Sequence, residues 1–283
     1  VSSASVVCGT VLYETPRGDL LRLAKSVSTA AEVAGISCRF SAIDNSGHET
    51  EDSFADATAG LIPANLHRSE GNIGFGGGHN RLMRRAFDRG ANYYVALNPD
   101  GFLHPEAISA LITRAKQFDD FALLEARQFP NEHPKIYDFQ TLDTPWCSGA
   151  CLMFTKRVYS EIGGFDDDFF MYCEDVDYSW RTRLSGGRCI MVPDAFFFHD
   201  VVGRERSDFV RWHMALSMKR LMSKWLEGVA PLRLTTFLAE MLFDVPASIL
   251  QMGSKTGALI ENVHRNEIAE FRHFFGFAPF RWT

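Results

Sequence analysis

No stretch of this chain is apolar enough, for long enough, to cross a bilayer. The longest run free of charged side chains, Val1 to Tyr13, has 13 residues and includes Ser and Thr, whereas a membrane helix needs about 20 predominantly apolar ones. The start lacks the basic region and cleavage pattern of a secretory signal, so the expectation is a cytoplasmic protein, begun here at Val1 rather than Met. Cysteine pattern is missing too: Cys8, Cys38, Cys147, Cys151, Cys173 and Cys189 contain no C-x-x-C pair. That argues against a zinc module or disulfide framework and for reduced, mostly buried thiols. There is no basic excess: 29 Lys and Arg stand against 35 Asp and Glu, a net charge of −6, so no nucleic acid partner is expected. What the 283 residues do have is 46% apolar and 13% aromatic content, with 24 Phe. That suits one large globular domain, alone or with a helical appendage.

The first half alternates two periodicities. Ser5 to Tyr13 is a β-branched run, and Asp19 to Ala34 places Leu20, Leu23, Val27 and Ala31 at helical spacing. Ile36 to Ile43 returns to strand and meets the turn residues Asp44-Asn45-Ser46-Gly47. A short strand is expected near Ala64 to His67, a helix near Asn80 to Arg89, and a strand from Tyr93 to Leu97. Pro105 then opens another helix. Repeated βα units predict an α/β fold with a doubly wound, mostly parallel sheet. Ligands of such sheets sit beyond the carboxyl ends of the strands, which selects Tyr13-Glu14, Asp44-Asn45 and Asn98-Pro99-Asp100. From Phe121 to His199 the alternation is less regular. Beyond Ser207 the pattern turns helical, divided by Pro231, Pro246 and Gly253.

Three segments and one histidine carry chemistry. Gly71 to Asn80 puts five glycines in eight residues before the expected helix, which suits either phosphate approach to backbone N–H groups or tight packing. Asn98-Pro99-Asp100 offers one carboxylate at a strand end. That is an ordinary turn, or half of a magnesium site completed by phosphates and water. His199, after Ala195-Phe196-Phe197-Phe198, is either a packed residue or a second ligand. The strongest feature is Gly163-Gly164-Phe165-Asp166 through Glu174-Asp175-Val176-Asp177. It has six carboxylates in 12 residues with no Lys or Arg between them and aromatic residues interleaved. Glu174-Asp175 opens a helix running through Leu184, and acids there also complement its dipole. Asp177 is spaced to pair with Arg181 on the helix surface.

Taken together, Asp44-Asn45-Ser46, Asn72-Ile73-Gly74-Phe75-Gly76 with Asn80, Leu97-Asn98-Pro99-Asp100, Ser148-Gly149-Ala150, Gly163-Gly164-Phe165-Asp166 and Glu174-Asp175-Val176-Asp177 resemble the inverting family 2 glycosyltransferases of GT-A fold. The similarity leans to their bacterial rhamnosyltransferase-like members and runs from about Ser5 to His199. It implies a GT-A nucleotide-sugar-binding and catalytic domain over 1–203. A C-terminal helical region over 204–283 would contact acceptor, membrane surface or a second copy in a homo-oligomer. By the same resemblance Tyr13, Asp44, Asn72, Gly74, Asn80, Asn98 and Asp100 bind the nucleotide sugar, and Trp146, Ser148 and Gly149 lie where sugar and acceptor meet. Asp175 matches the catalytic base, with Glu174 beside it. Asp100 and His199 match holders of Mg2+ or Mn2+, although Asn98 stands where the metal motif has its first acid. Glu14 and Arg81 also depart from the usual Asn and Gly.

The expected partners are a nucleotide-sugar donor, dTDP-rhamnose first and UDP- or GDP-sugars next, and a glycan or lipid-linked acceptor. The competing readings are a non-catalytic sugar-nucleotide-binding module and a glycoside hydrolase, whose paired acids would have no use for a nucleotide crevice. Arg204 to Lys224 holds six Lys or Arg against Glu205 and Asp208, with Trp212, Leu216, Met222 and Trp225 available for an apolar face. Such a helix lies peripherally on the inner face of a membrane, or packs on the catalytic domain or on a second subunit.

Overall fold

The computed structural model describes residues 4–47, 51–132, 135, 137–199 and 207–225. The segments divided by Pro231, Pro246 and Gly253 lie outside the described residues. Strands β1 (Ser5–Leu12), β2 (Ser37–Asp44), β3 (Ala64–Arg68) and β4 (Tyr93–Leu97) form the parallel half of an eight-stranded sheet. The other half comprises β5 (Phe102–Leu103), β6 (Ala122–Phe129), β7 (Cys151–Thr155) and β8 (Arg188–Phe198), and the order is β3-β2-β1-β4-β7-β6-β8-β5. β7 is antiparallel to both β4 and β6, β5 is antiparallel to β8, and β6 and β8 run parallel. The sheet is therefore doubly wound but mixed in its second half, the part in which the sequence alternates least regularly.

Helices cover both faces, so the central strands are buried on both sides. On one face α1 (Arg17–Ala34), α2 (Glu51–Thr58) and α4 (Ala107–Lys116) bury Leu20, Leu23, Val27, Phe54 and Leu111 against Val95 and Leu97 of β4. On the other, α3 (Gly74–Asp88) and α5 (Lys156–Ile162) bury Leu82, Met83, Phe87 and Val158 against Tyr94 and Ala96, the alternate residues of the same strand. Gly35 ends α1 in the left-handed region at φ 62°, where a side chain would be strained.

α3 begins at Gly74, not near Asn80, so most of the glycine-rich stretch is helix. The glycines let that helix sit close to its neighbours. A Cβ on Gly78 would lie 2.6 Å from a Val11 methyl, and one on Gly74 would lie 1.9 Å from the Phe170 carbonyl oxygen. Packing, the simpler of the two readings, explains both.

Helix α6 (Glu174–Leu184) has the bounds its pattern predicts. The last described helix, α7 (Asp208–Trp225), packs on it: Met214, Met218, Leu221 and Trp225 join Trp146, Phe169, Val176 and Trp180 in a third core cluster. Of the residues expected on its apolar face, Trp225 is in that cluster, while Trp212 and Leu216 are only half-buried. All six cysteines are free thiols. Among the described residues no helix is long and apolar enough to cross a membrane.

Candidate active site

The carboxyl ends of β1, β2 and β4 open onto one crevice. At its outer rim Tyr13 is exposed, and the next residue, Glu14, donates its N–H to the Ser46 hydroxyl at 2.7 Å. Asp44, buried at the end of β2, accepts the Ser46 N–H at 2.8 Å. Asn45 ties this rim to the start of α3, its amide donating to Asn72 Oδ1 at 3.2 Å and to the Gly74 carbonyl at 3.1 Å. Tyr13, Asp44, Asn72 and Gly74 are thus brought together. Asn80 is turned elsewhere: its Oδ1 accepts the Phe165 N–H at 2.7 Å, and its Nδ2 donates to the Phe165 carbonyl and to Asp167, both at 2.9 Å. It braces the Gly163–Asp168 loop, and a Cβ on Gly164 would lie 2.5 Å from its oxygen.

Deeper in the crevice, Asn98, Asp100 and His199 converge. His199 Nε2 lies 3.1 Å from Asp100 Oδ1 and 3.3 Å from Asn98 Nδ2, while its Nδ1 lies 3.2 Å from Gln128 Oε1. The Gln128 oxygen can only accept, so with the amide in this orientation Nδ1 carries a hydrogen, and a neutral ring presents its Nε2 lone pair to the carboxylate. Two electron-rich atoms turned toward each other suit a shared cation. Among the described residues no three His, Cys, Asp or Glu side chains form a metal cluster. The donor set is thus two protein ligands, which fits a divalent cation completed by phosphate oxygens and water.

The Asn98 N–H donates to the Ala150 carbonyl at 2.9 Å, and this bond links the metal corner to the third part of the site. There the buried Asp175 carboxylate accepts the Gly149 N–H and the Val176 N–H, each at 2.9 Å. A Cβ on Gly149 would press on the Phe75 ring at 3.1 Å, so only glycine brings that N–H so close without displacing the ring. Tyr172 and Cys173 sit at φ 67° and 65°, a sparsely populated region for non-glycine residues, immediately before Glu174 and Asp175. This tight reversal aims the first turn of α6 at Ser148–Ala150. Trp146 is buried beneath the same segment.

The acidic run is thereby sorted. Asp177, expected on the helix surface, is fully buried and meets Arg181 at 2.9 Å, Lys224 at 2.8 Å and the Trp225 indole N–H at 2.9 Å. Asp166 also pairs with Lys224. Burial pushes the Asp166 carboxyl up, but Lys224, the Asp168 N–H and Arg181 outweigh it and hold it below the usual carboxylate range. Asp167 is held by Asn80. Three of the acids are therefore structural, Asp168 is exposed, and Glu174 and Asp175 are left in the turn that faces the crevice.

No protein-family model matches the chain. It is 34% identical to the rhamnosyltransferase WbbL of Escherichia coli K12 over 92 residues, covering 31% of this chain and 34% of that protein. It is 27% identical to the N-acetylglucosaminyl-diphospho-decaprenol L-rhamnosyltransferase of Mycobacterium tuberculosis H37Rv, covering 45% of this chain and 56% of the relative. Among solved structures, a Pyrobaculum calidifontis mannosyltransferase in complex with GDP-Man and Mn2+ superposes with a TM-score of 0.63 at 14% identity, covering 99% of this chain and 83% of that one. GalNAc-T7 with UDP, GalNAc and Mn2+ gives 0.58 at 13% identity, covering 96% and 54%. The fold is that of the GT-A glycosyltransferases, and part of the chain is similar in sequence to rhamnosyltransferases. It spans between 34% and 56% of the length of these curated relatives.

The site includes residues that motif reading passed over. Glu125, buried on β6, accepts the Ser148 N–H at 2.7 Å and pairs with the equally buried Lys135. Burial pushes the Glu125 carboxyl up against the opposing pull of Lys135 and Ser148, and the Asp175 charge adds to the rise. Lys135 also donates to the Trp146 carbonyl at 2.7 Å and lies 4.1 Å from the centre of its ring. The only trace of this pair in the sequence is a Glu inside an apolar strand. A polar cavity of about 560 Å³ lies elsewhere, beside Arg81, Arg84, Tyr159 and Asp167 on the outer side of α3. Asn80, Gly164 and Phe165 of the motifs line it, but Asp100, Asp175 and His199 do not, so it is distinct from the corner where those three lie.

Proposed function

We propose that the chain is an inverting glycosyltransferase that moves a hexose from a nucleoside-diphosphate sugar to a hydroxyl of a glycan or lipid-linked glycan. L-Rhamnose from dTDP-rhamnose is the best-matched donor, because the named relatives are rhamnosyltransferases. The N-acetylglucosaminyl-diphospho-decaprenol in the mycobacterial relative's name supplies the acceptor class. One observation carries the reading: Asp175 is bound by backbone N–H groups to the Gly149 segment, which is itself bonded to the Asn98 strand end.

In this mechanism Asp175 takes the proton of the acceptor hydroxyl as general base. The freed oxygen attacks the anomeric carbon from the face opposite the diphosphate, the carbon–oxygen bond to phosphate breaks, and the configuration inverts. The two backbone N–H groups fix the direction of the carboxylate. Tyr13, Asp44 and Asn72 bind the nucleotide at the rim, and Trp146, Ser148 and Gly149 shape the floor under the sugar. Asp100 and His199 would hold Mg2+ or Mn2+, which when bound offsets the negative charge of the diphosphate.

Replacing Asp175 by Asn tests the base. Transfer should fall by about 10²–10⁴-fold, the usual worth of a general base. Nucleotide-sugar affinity, read by calorimetry, should stay within a few-fold of wild type. Near-wild-type transfer by the variant would remove Asp175 from the role.

A further inference from the structure

His199 is fastened to β6 at two points. Its backbone N–H donates to the Phe129 carbonyl at 2.8 Å, and its ring Nδ1 lies 3.2 Å from Gln128 Oε1. Between Ala126 and Arg127 the β6–β8 register shifts, because β8 carries Pro193, Asp194 and Ala195 between the partners of these two residues. Irregularities of this kind re-aim side chains beside active sites. Beyond the shift Gln128 pairs with Phe197, two residues before His199, and its side chain is buried.

The imidazole is the partner of the Gln128 amide. Among the described residues the amide Nε2 is buried with no hydrogen-bond partner, so the contact with the ring is what relates the amide's orientation to the rest of the site. Turned over, the amide would instead donate to Nδ1, and the ring would carry its hydrogen on Nε2, facing Asp100. In the orientation observed, the Nε2 lone pair points to Asp100 Oδ1 at 3.1 Å and to Asn98 Nδ2 at 3.3 Å. The two amide orientations therefore correspond to two imidazole tautomers, and only one of them leaves Nε2 able to bind a cation.

We propose that Gln128 is a positioning residue for a divalent-cation site at Asp100 and His199, holding the imidazole as its Nδ1–H tautomer with the Nε2 lone pair toward Asp100. This rests on the reading of those two residues as metal holders. Metal-binding histidines are commonly fixed through their second ring nitrogen, and loss of that partner typically weakens metal affinity by about 10–100-fold.

The test uses the full chain with 15N-labelled histidine. Long-range proton–nitrogen NMR of the metal-free protein at pH 8 reads the tautomer, with His199→Ala assigning the signal, and manganese titration followed by electron paramagnetic resonance reads affinity. Wild type should show Nδ1–H. Gln128→Leu should lose that preference and bind Mn2+ about 10–100-fold more weakly, with circular dichroism matching wild type. Gln128→Glu, which keeps an accepting oxygen, should stay within a few-fold of wild type. An Nε2–H tautomer in wild type, or a Gln128→Leu protein with unchanged tautomer and affinity, overturns the proposal. If Asp100→Asn and His199→Ala both bind Mn2+ like wild type, the metal reading falls instead, and the tautomer comparison still decides what Gln128 does.

Discussion

Asp166, Asp175 and Asp177 are the same residue within 12 positions, and their neighbours give them different roles. Asp166 and Asp177 face Lys224, with Arg181 on Asp177, whereas Asp175 is held by the N–H groups of Gly149 and Val176. Spacing alone could not separate them, because Lys224 lies 47 residues beyond Asp177 in the sequence. His79 shows the converse. It falls inside a segment with the look of a ligand loop, yet it is fully buried, shares a 2.6 Å hydrogen bond with the Tyr94 hydroxyl, and burial lowers its pKa to about 3. The unfolded chain therefore binds this proton near pH 6.5 and the folded chain does not. His79 thus makes stability fall as pH drops below about 6.5, by at most about 1.4 kcal/mol per pH unit. Urea unfolding from pH 7 to 5 should show a shallower loss in His79→Gln than in wild type. Equal slopes would remove His79 as the source.

At the scale of elements, α1 was legible because it buries a face whose period survives in the sequence, Leu20, Leu23 and Val27, β4 because it is a short apolar run buried on both faces, and α6 because Glu174-Asp175 opens it. The start of α3 was not, since glycines that read as a loop are there to let a helix approach Val11 and Phe170. Nor were Glu125, Gln128 and Lys135, whose partners Ser148, His199 and Trp146 come from other parts of the chain. α7 likewise acts as a clamp, with its terminal Lys224 and Trp225 both on Asp177. Lys224→Met leaves a buried carboxylate short of a cation and should destabilise the protein by about 3 kcal/mol, read as a fall in the urea midpoint. A change below about 0.5 kcal/mol would mean that Arg181 and Trp225 satisfy Asp177 alone.

At the scale of the whole molecule, the parallel half of the sheet presents the rim residues Tyr13 and Asp44, and the mixed half brings Ser148–Ala150, Asp175 and His199 to the same crevice. The β4–β7 pair and the Asn98–Ala150 bond join the two halves. In the proposed function a nucleotide would lie on one side and an acceptor on the other, the division of labour that transfer requires and hydrolysis does not. The most direct measurement is release of nucleoside diphosphate from dTDP-rhamnose, with and without an N-acetylglucosaminyl-diphospho-polyprenol acceptor. The account predicts release that depends on the acceptor and a product of inverted anomeric configuration. Release at the same rate without acceptor, or tight nucleotide binding with no turnover on this or any other glycan acceptor, would contradict it.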